Sequence, residues 1–198
     1  MTNLGGRGKM SISNENKAPH RCLSTLLGSA KVHRYWDEAE KSSIDILEAK
    51  DAPVPKVTTW ATIGLSDTHT ALVVNGVPLG VEFLFPSMSV NSRAPNILAT
   101  CAFNVINTKM KSEPGVIYPR VIEMYYKNID VNHVLLGNPY LWDVKTQEFN
   151  SKIVAWLLVI PISNAEYAVA NSKGVDHLER ALEARSVDIF NLRRKSIL

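Results

Sequence analysis

The residues from Arg93 to Lys109, RAPNILATCAFNVINTK, constrain the fold more than any other stretch. Their large apolar side chains recur at the spacing of one buried helical face: Ile97, Leu98, Cys101, Ala102, Val105 and Ile106. Polar residues recur every four positions and form only a thin stripe: Asn96, Thr100, Asn104 and Thr108. Pro95 stands in the first turn, where its missing N–H costs least. A helix this apolar must be covered on nearly all sides, so the pattern predicts the central packing helix of an α/β domain.

Strand-like sequences flank this helix on both sides. Before it, β-branched and aromatic residues predict five strands: 31–36, 42–47, 57–65, 70–74 and 79–85. Asn75-Gly76 separates the last two and predicts a tight hairpin, because both turn positions require positive φ. After the helix, four further strands are predicted: 121–126, 133–136, 153–160 and 187–190. The sequence therefore predicts an α/β (α+β) fold with a mixed, largely antiparallel sheet, in which 153–160 is central and covered on both faces.

Two helices are predicted after this central strand. Ser163 and Glu166 occupy the N-cap and N3 positions of a capping box, which starts a helix that runs to about Asn171. Gly174 ends that helix. A last helix is predicted over residues 176–185, with acid at its start and base at its end, as the helix dipole favours.

At the other end of the chain, we expect residues 1–12 to form a disordered tail, because glycine and charge dominate there. A modest helix is predicted from about Lys17 to Leu27, and Gly28 ends it. The folded domain is therefore expected to span residues 13–198 as one unit, the default for a chain of 198 residues.

The net charge of +3 lies in the N-terminal part of the chain. Residues 1–30 hold four basic side chains and one acidic side chain, whereas residues 31–198 hold equal numbers of each. A neutral body without clustered bases argues against nucleic-acid binding. No apolar run approaches the roughly 18 residues that a membrane span needs, and the N-terminus lacks an apolar signal core. We therefore expect a cytoplasmic protein that binds neither nucleic acid nor membrane, with Cys22 and Cys101 as reduced core thiols.

Motifs for metals and cofactors are absent from the sequence. The five histidines are scattered, and no pair has the H-x-x-x-H spacing that places two imidazoles on one helix face. C-x-x-C does not occur, nor do the glycine-rich loops GxGxxG and GxxxxGK that bind phosphate. We therefore predict no metal, no cofactor and no catalytic residue.

Two sets of polar residues offer an enzymatic alternative, a small hydrolase. Ser66, Asp67 and His69 include a candidate nucleophile, but GLSD is not a G-x-S-x-G elbow, and adjacent residues of an extended loop point apart. Asp45 and Glu123 would serve as acid and base if the fold brought them together. The sequence favours a turn role for Asp67 and ordinary strand positions for the two carboxylates.

An acidic run lies between Asp37 and Asp51. It holds six acids against two lysines, a local charge of −4: Asp37, Glu38, Glu40, Asp45, Glu48 and Asp51. Such a run is usually a solvated hairpin tip, and the functional alternative is a patch that docks a basic partner and speeds its approach. The predicted partner-binding residues are Asp37, Glu38, Glu40 and Asp51. Trp36 or Trp142, each near a loop, is the candidate aromatic anchor of such an interface.

Six blocks that occur in order along the chain resemble the Suppressor-of-fused-like domain family: YWDEAEKSSIDIL, VTTWATIGLSD, PNILATCAFNVI, VIEMYY, WLLVIPISNAEY and DIFNLRRKSIL. The resemblance covers nearly the whole chain from about Asn14 and is closest to short, single-domain bacterial members. Several of those are immunity proteins (antitoxins) that neutralise a cognate secreted toxin of the polymorphic, LXG-bearing type, often a nuclease. The animal relative binds a transcription-factor peptide partly by strand addition, with the help of a second domain that we do not expect in this chain.

The resemblance implies an α/β fold without enzymatic activity and a protein-binding role in the cytoplasm. For a chain of the immunity type, it implies a stoichiometric inhibitor, a monomer or weak dimer, that occludes its toxin through an interface of roughly 1,600 Å². The alternative is a non-catalytic adaptor that binds a peptide or strand at an open sheet edge. The resemblance supplies no site residues, so the acidic patch rests on the sequence alone.

Overall fold

A nine-stranded sheet organises the described part of the chain, which in this computed structural model comprises residues 23, 25, 27, 28, 30–68 and 72–198. The strands in chain order are β1 (Ala30–Trp36), β2 (Ser43–Lys50), β3 (Val57–Ile63), β4 (Val73–Val74), β5 (Val77–Met88), β6 (Ile117–Tyr118), β7 (Val131–Gly137), β8 (Gln147–Glu148) and β9 (Ile153–Ser163). Their order across the sheet is β1-β2-β3-β5-β9-β7-β6, with β4 beside β5 and β8 beside β9. Among the described strands, only β5 and β9 pair in parallel. The predicted mixed, largely antiparallel sheet is confirmed.

The central strands of this sheet are buried on both faces. In β9, Leu157 and Val159 point to one face and Leu158 and Ile160 to the other, and all four are at most 4% exposed. Burial of each such side chain contributes about 2 kcal/mol to folding. The predicted central strand over residues 153–160 is therefore confirmed.

Helix α1 (Ala94–Thr108) covers one face of the sheet over β2, β3 and β5, as predicted. Pro95 lies in its first turn, and Lys109, in the left-handed region at φ 56°, ends it. The apolar side of the helix is buried against the sheet. One residue of its polar stripe also holds a neighbouring segment, since the Thr100 hydroxyl forms a hydrogen bond of 2.6 Å with that of Tyr125.

Helices α2 (Asn164–Lys173) and α3 (Val175–Ala184) pack on the opposite face, beside β7 and β9. The predicted capping box is present: Ser163 Oγ accepts from the N–H of Glu166 at 3.1 Å, and Glu166 Oε2 accepts from the N–H of Ser163 at 2.8 Å. Gly174 separates the two helices, as predicted. None of the described helices is long and apolar enough to cross a membrane.

Glu166 also anchors the C-terminal segment. Its buried carboxylate receives Arg194 Nη1 on Oε1 at 2.7 Å and Arg194 Nη2 on Oε2 at 2.6 Å. Oε1 also accepts from the N–H of Ile197 at 3.1 Å. Burial alone would raise the pKa of Glu166, but the Arg194 guanidinium and the backbone donors hold it below its ordinary value. One carboxylate therefore caps α2 and fixes the C-terminal segment.

The predictions for the N-terminal region fall only partly within the described residues. Leu23 and Leu27 are helical and pack on the face that also carries α2 and α3. Residues 1–12, Cys22 and the start of the predicted helix lie outside the described residues. Cys101 is a buried free thiol, as predicted.

The predicted Asn75-Gly76 hairpin joins β4 to β5. Both turn residues have positive φ, 51° and 82°. β5 is longer than predicted at both ends, because it begins at Val77 and continues to Met88. Pro78 consequently lies inside the strand, opposite Val73, where the short β4 is the edge of the local pair.

The predicted strand over residues 121–126 is wrong. The chain forms a 3₁₀ turn there (Ile122–Met124), after Arg120 adopts a left-handed conformation at φ 58° and ends the extended chain. The apolar and aromatic residues of this turn pack against α1 instead of alternating across a sheet. Tyr126, for example, accepts a hydrogen bond from the N–H of Arg93 at 3.1 Å through its hydroxyl.

The predicted terminal strand over residues 187–190 is also wrong. Ser186 has φ 46°, which breaks the extended course of the chain just before it. Val187, Ile189 and Phe190 then form turns whose side chains pack on the face covered by α2 and α3. Their apolar pattern reflects this packing and not a strand pairing.

We predict that Arg194→Met lowers the free energy of unfolding by about 3–5 kcal/mol, because it leaves the buried Glu166 carboxylate without its cation. Lys195→Met is the matched control, since Lys195 forms only an exposed ion pair with Asp130 at 3.5 Å. We expect the control to change stability by less than about 1 kcal/mol. Urea unfolding followed by circular dichroism measures both, and equal losses for the two variants would contradict the role given to Arg194.

Candidate protein-binding surface

The acidic run forms the β1–β2 hairpin and its tip. The strand pairing ends at Trp36 and Ser43, and residues 37–42 close the turn. The N–H of Asp37 donates to the carbonyl oxygen of Ser42 at 3.0 Å, and Glu40 adopts a left-handed conformation at φ 53°. The tip is therefore a defined turn.

Asp37 holds the shape of this tip. Its Oδ1 accepts from the N–H of Lys41 at 2.8 Å, and its Oδ2 accepts from Asn107 Nδ2 at 3.0 Å. Asn107 Oδ1 in turn accepts from the Ser42 hydroxyl at 2.6 Å, so the tip is tied to the C-terminal end of α1. Desolvation would raise the pKa of Asp37, but the N–H donors of Lys41 and Ser42 and the Asn107 amide lower it overall.

Two further acids of the run pair across the hairpin. Asp45 receives two hydrogen bonds from the Arg34 guanidinium, at 2.7 and 2.9 Å. Glu48 lies 3.1 Å from His33 Nε2. Glu48 also lies 3.8 Å from Lys50 Nζ, so each of these two carboxylates has a basic side chain beside it.

Asp51 lies apart from the other predicted partner-binding residues. It follows the eight residues of β2 at the end opposite the tip, so roughly 25 Å of strand separates it from Asp37. Its Oδ1 accepts from the N–H of Lys56 at 2.8 Å and closes the β2–β3 turn. The fold brings Asp37, Glu38 and Glu40 together but places Asp51 elsewhere.

Two acids of the run remain without a partner. Glu38 and Glu40 are exposed and form no ion pair with any described residue. Trp36 precedes them and is 41% exposed, whereas Trp142 is half-buried against the core. We call Trp36, Glu38 and Glu40 the acidic tip; it combines uncompensated charge with one exposed aromatic ring.

β1 itself is an edge of the sheet. No described strand pairs with its outer side. Lys31, His33 and Trp36 are its exposed positions, and the residues between them are half-buried. An edge of this kind presents unpaired N–H and C=O groups that can accept a further strand.

Ser66 lies in a buried polar cluster. It is 6% exposed, its Oγ accepts from Lys152 Nζ at 3.1 Å, and its N–H donates to Glu82 Oε1 at 3.1 Å. Lys152 also forms an ion pair with Asp67. His69, the remaining member of the sequence-derived set, lies outside the described residues. The contacts of Ser66 support a turn and leave its hydroxyl little exposed to solvent.

Glu82 is the centre of this cluster, and the sequence reasoning did not single it out. Its fully buried carboxylate accepts from the Thr62 hydroxyl at 2.6 Å and from the N–H of Gly64 at 2.9 Å. Burial raises the pKa of Glu82, and its hydrogen bonds act in the opposite direction. Gly80 permits the close approach of the turn, because a Cβ there would lie 2.3 Å from the carbonyl oxygen of Ser66. The sequence signal that could have identified Glu82 is its position as a single acid within the apolar run of residues 79–85.

Asp45 and Glu123 do not form an acid–base pair. Asp45 is bound by Arg34 in the β1–β2 hairpin, and Glu123 receives its bonds from Arg120, at 2.7 and 3.1 Å. Within the described residues, no group of three histidine, cysteine or acidic side chains is arranged to hold a metal ion.

Comparison with known proteins shows the family to which a chain with this sheet, these helices and this edge hairpin belongs. The family model for Suppressor of fused protein (SUFU) matches residues 40–195, and the chain belongs to this family. The resemblance seen in the sequence is confirmed. A full-length relative is the immunity protein YqcF of Bacillus subtilis (strain 168), which is 41% identical over 192 residues, 96% of this chain and 100% of that protein.

Solved structures share the fold at low sequence identity. A SUFU homologue from Neisseria gonorrhoeae FA 1090 superposes with a TM-score of 0.71 at 14% identity, covering 92% of this chain and 96% of that one. The structure of the Sufu–Fu complex gives a TM-score of 0.64 at 14% identity, with 91% of each chain covered. Drosophila Suppressor of Fused gives 0.60 at 12% identity, and the match covers 92% of this chain but 50% of that chain.

We predict that Asn107→Ala loosens the hairpin tip without unfolding the sheet, because it removes the bonds that tie Asp37 and Ser42 to α1. Hydrogen exchange of the Lys41 amide should become several-fold faster, whereas amides in the middle of β2 should keep their rates. Thr108→Ala is the control, since the Thr108 hydroxyl bonds only to Asn104 within the helix. Unchanged exchange at Lys41 would show that the tip does not depend on α1.

Proposed function

We propose that this chain is an immunity protein, an antitoxin that binds one cognate secreted bacterial toxin and occludes it in the cytoplasm. The observation that carries the proposal is the full-length relative, 41% identical, which is named an immunity protein. The finer assignment, a polymorphic LXG-type toxin with nuclease activity, follows the family resemblance of the sequence. The inhibitor acts without turnover, as a monomer or weak dimer.

The acidic tip is the proposed contact for the toxin. A nuclease presents basic surface to its nucleic-acid substrate, and Glu38 and Glu40 offer uncompensated negative charge to such a surface. Charge of this kind raises the association rate more than it raises the final affinity. Trp36, beside these acids and 41% exposed, supplies the aromatic side chain that commonly dominates interface energetics.

The rigidity of the tip supports the same role. Asp37 and Asn107 fix the turn before any partner arrives, so binding does not have to order it. Asp37 therefore shapes the surface, while Glu38 and Glu40 provide its free charge. Asp51, at the far end of β2, adds to the negative electrostatic potential of the hairpin but does not contact the toxin at the acidic tip.

The proposal is tested by co-expression of this chain with the toxin domain encoded beside it. We expect survival of the host and a 1:1 complex on co-purification. Toxicity that persists in the presence of well-folded protein would contradict the immunity role. Rescue without a complex would contradict occlusion as its mechanism.

We predict that the double charge reversal Glu38→Lys/Glu40→Lys slows association with the toxin about tenfold at low salt, because it turns attraction into repulsion. The effect should shrink as salt rises, since exposed charges are then screened. Asp143→Lys/Glu148→Lys makes the same change in net charge at exposed positions away from the tip. Stopped-flow kinetics give the association rate of each double variant with the toxin. Equal slowing by the two double variants would reject the tip as the contact.

The second candidate is a non-catalytic adaptor that binds a peptide by strand addition, and the open edge at β1 favours it. In that case, partner binding should protect alternate amides along Ala30–Trp36 from hydrogen exchange, because their outward N–H groups become paired. Occlusion through the acidic tip should protect residues 36–41 and leave the rest of β1 unchanged. Exchange measured on the purified complex separates the two modes.

A further inference from the structure

A cleft of about 520 Å³ lies far from the acidic tip. It opens between α3, the end of β9 and the loop that follows β7. The strand residue that lines the cleft, Ile160, lies on β9, three strand spacings from β2 and four from β1, so roughly 14–19 Å of sheet divides the cleft from the β1–β2 hairpin. Its floor is apolar and is formed by four side chains: Ile160, Leu182, Val187 and Ile189.

The rim of the cleft carries negative charge. Glu179 and Glu183 are one turn apart on α3 and point into the same opening. Neither forms an ion pair with a described residue, and no basic side chain is among the described residues that line the cleft. Arg180, between them in sequence, donates its Nε to the carbonyl oxygen of Asp176 at 3.1 Å.

Tyr140 completes the rim from the opposite side. Its ring is 66% exposed, and the charges of Glu179 and Glu183 add to burial in raising the pKa of its hydroxyl. Burial and the neighbouring Asp176 also raise the pKa of Glu179. Because the phenol and the two carboxylates line the same cleft, one ligand can contact all three.

We infer that this cleft binds an arginine side chain carried by an apolar segment of a protein partner. A guanidinium matches two carboxylates in charge and in its forked array of donors. The aliphatic stem of arginine fits an apolar floor, and its planar head stacks on an aromatic ring such as that of Tyr140. An anion would be repelled by both glutamates, and a neutral apolar ligand would desolvate them without a counter-charge.

The cleft is independent of the toxin contact proposed above. It shares no residue with the acidic tip and lies on the face of the sheet opposite α1, whereas the tip is bonded to Asn107 of α1. Its occupancy can therefore be measured on this protein alone, with a small probe and no toxin. The result bears on the cleft whether or not the immunity role holds.

The probe is N-acetyl-leucyl-arginine amide, titrated into ¹⁵N-labelled protein and followed by NMR. Shifts are expected at the backbone amides of Tyr140, Glu183 and Val187, and not at residues of the acidic tip. The citrulline analogue has nearly the same shape without the charge and should bind at least about tenfold more weakly. Shifts centred on the acidic tip, or equal binding of the citrulline probe, would overturn the assignment.

Substitutions in the cleft test which side chains bind the arginine probe. Glu179→Gln/Glu183→Gln should weaken binding of the arginine probe at least about fivefold, whereas Asp143→Asn/Glu148→Gln removes the same charge at exposed positions outside the cleft and should leave it unchanged. Tyr140→Ala, at an exposed position, should weaken binding several-fold and provides a second readout within the same fold. An equal affinity of the cleft variant (positions 179 and 183) and of its control for the arginine probe would reject the cleft as the site.

Discussion

The parallel pairing of β5 with β9 holds the two halves of this molecule together. β5 ends the antiparallel series β1-β2-β3-β5, and β9 carries β7 and β8 and leads into α2. Six aligned residue pairs, from Leu79↔Ile153 to Leu84↔Leu158, join the two halves. Both strands are buried on both faces, so α1 on one side and the C-terminal helices on the other depend on the same backbone ladder. A parallel pair requires a long crossover, and the segment containing α1, β6, β7 and β8 supplies it.

The ionisable groups of the protein fall into two sets with different roles. Glu82 and Glu166 are fully buried, and each accepts hydrogen bonds from several donors: Glu82 fixes the 3₁₀ turn Leu65–Asp67, which contains Ser66, and Glu166 caps α2 and anchors the C-terminal segment. Glu38, Glu40, Glu179 and Glu183 are exposed and unpaired within the described residues. A buried carboxylate whose oxygens accept hydrogen bonds from several donors supports the fold. The unpaired charge of these four glutamates lies at two separate surfaces, which are the two binding sites proposed above.

The sequence predicted local elements well and long-range partners poorly. The periodicity of Ala94–Thr108, the hairpin at Asn75-Gly76 and the capping box at Ser163 were correct because each depends on neighbours within a few residues. Residues 121–126 and 187–190 were read as strands because packing against a helix or a sheet face gives an apolar pattern as well. The acids of the hairpin could be counted from the sequence. The sequence could not show which of these acids already have a partner, since Asn107 and Arg34 meet Asp37 and Asp45 only in the folded chain.

The way in which the hairpin tip is held bears on how binding specificity can diverge among related chains. Its conformation depends on Asp37, Asn107 and main-chain bonds, including the one from the N–H of Glu40 to the carbonyl oxygen of Asp37 at 3.0 Å, whereas the side chains of Glu38 and Glu40 form no bond that holds it. Substitutions of these two side chains therefore cost little folding free energy, provided that the residue at position 40 tolerates a φ of 53°. If the tip is the toxin contact, as proposed above, a lineage can alter the charge that it presents to a changing toxin while its scaffold stays above the stability threshold. Because different residues fix the conformation of this surface and supply its charge, its charge can change during evolution without loss of its shape.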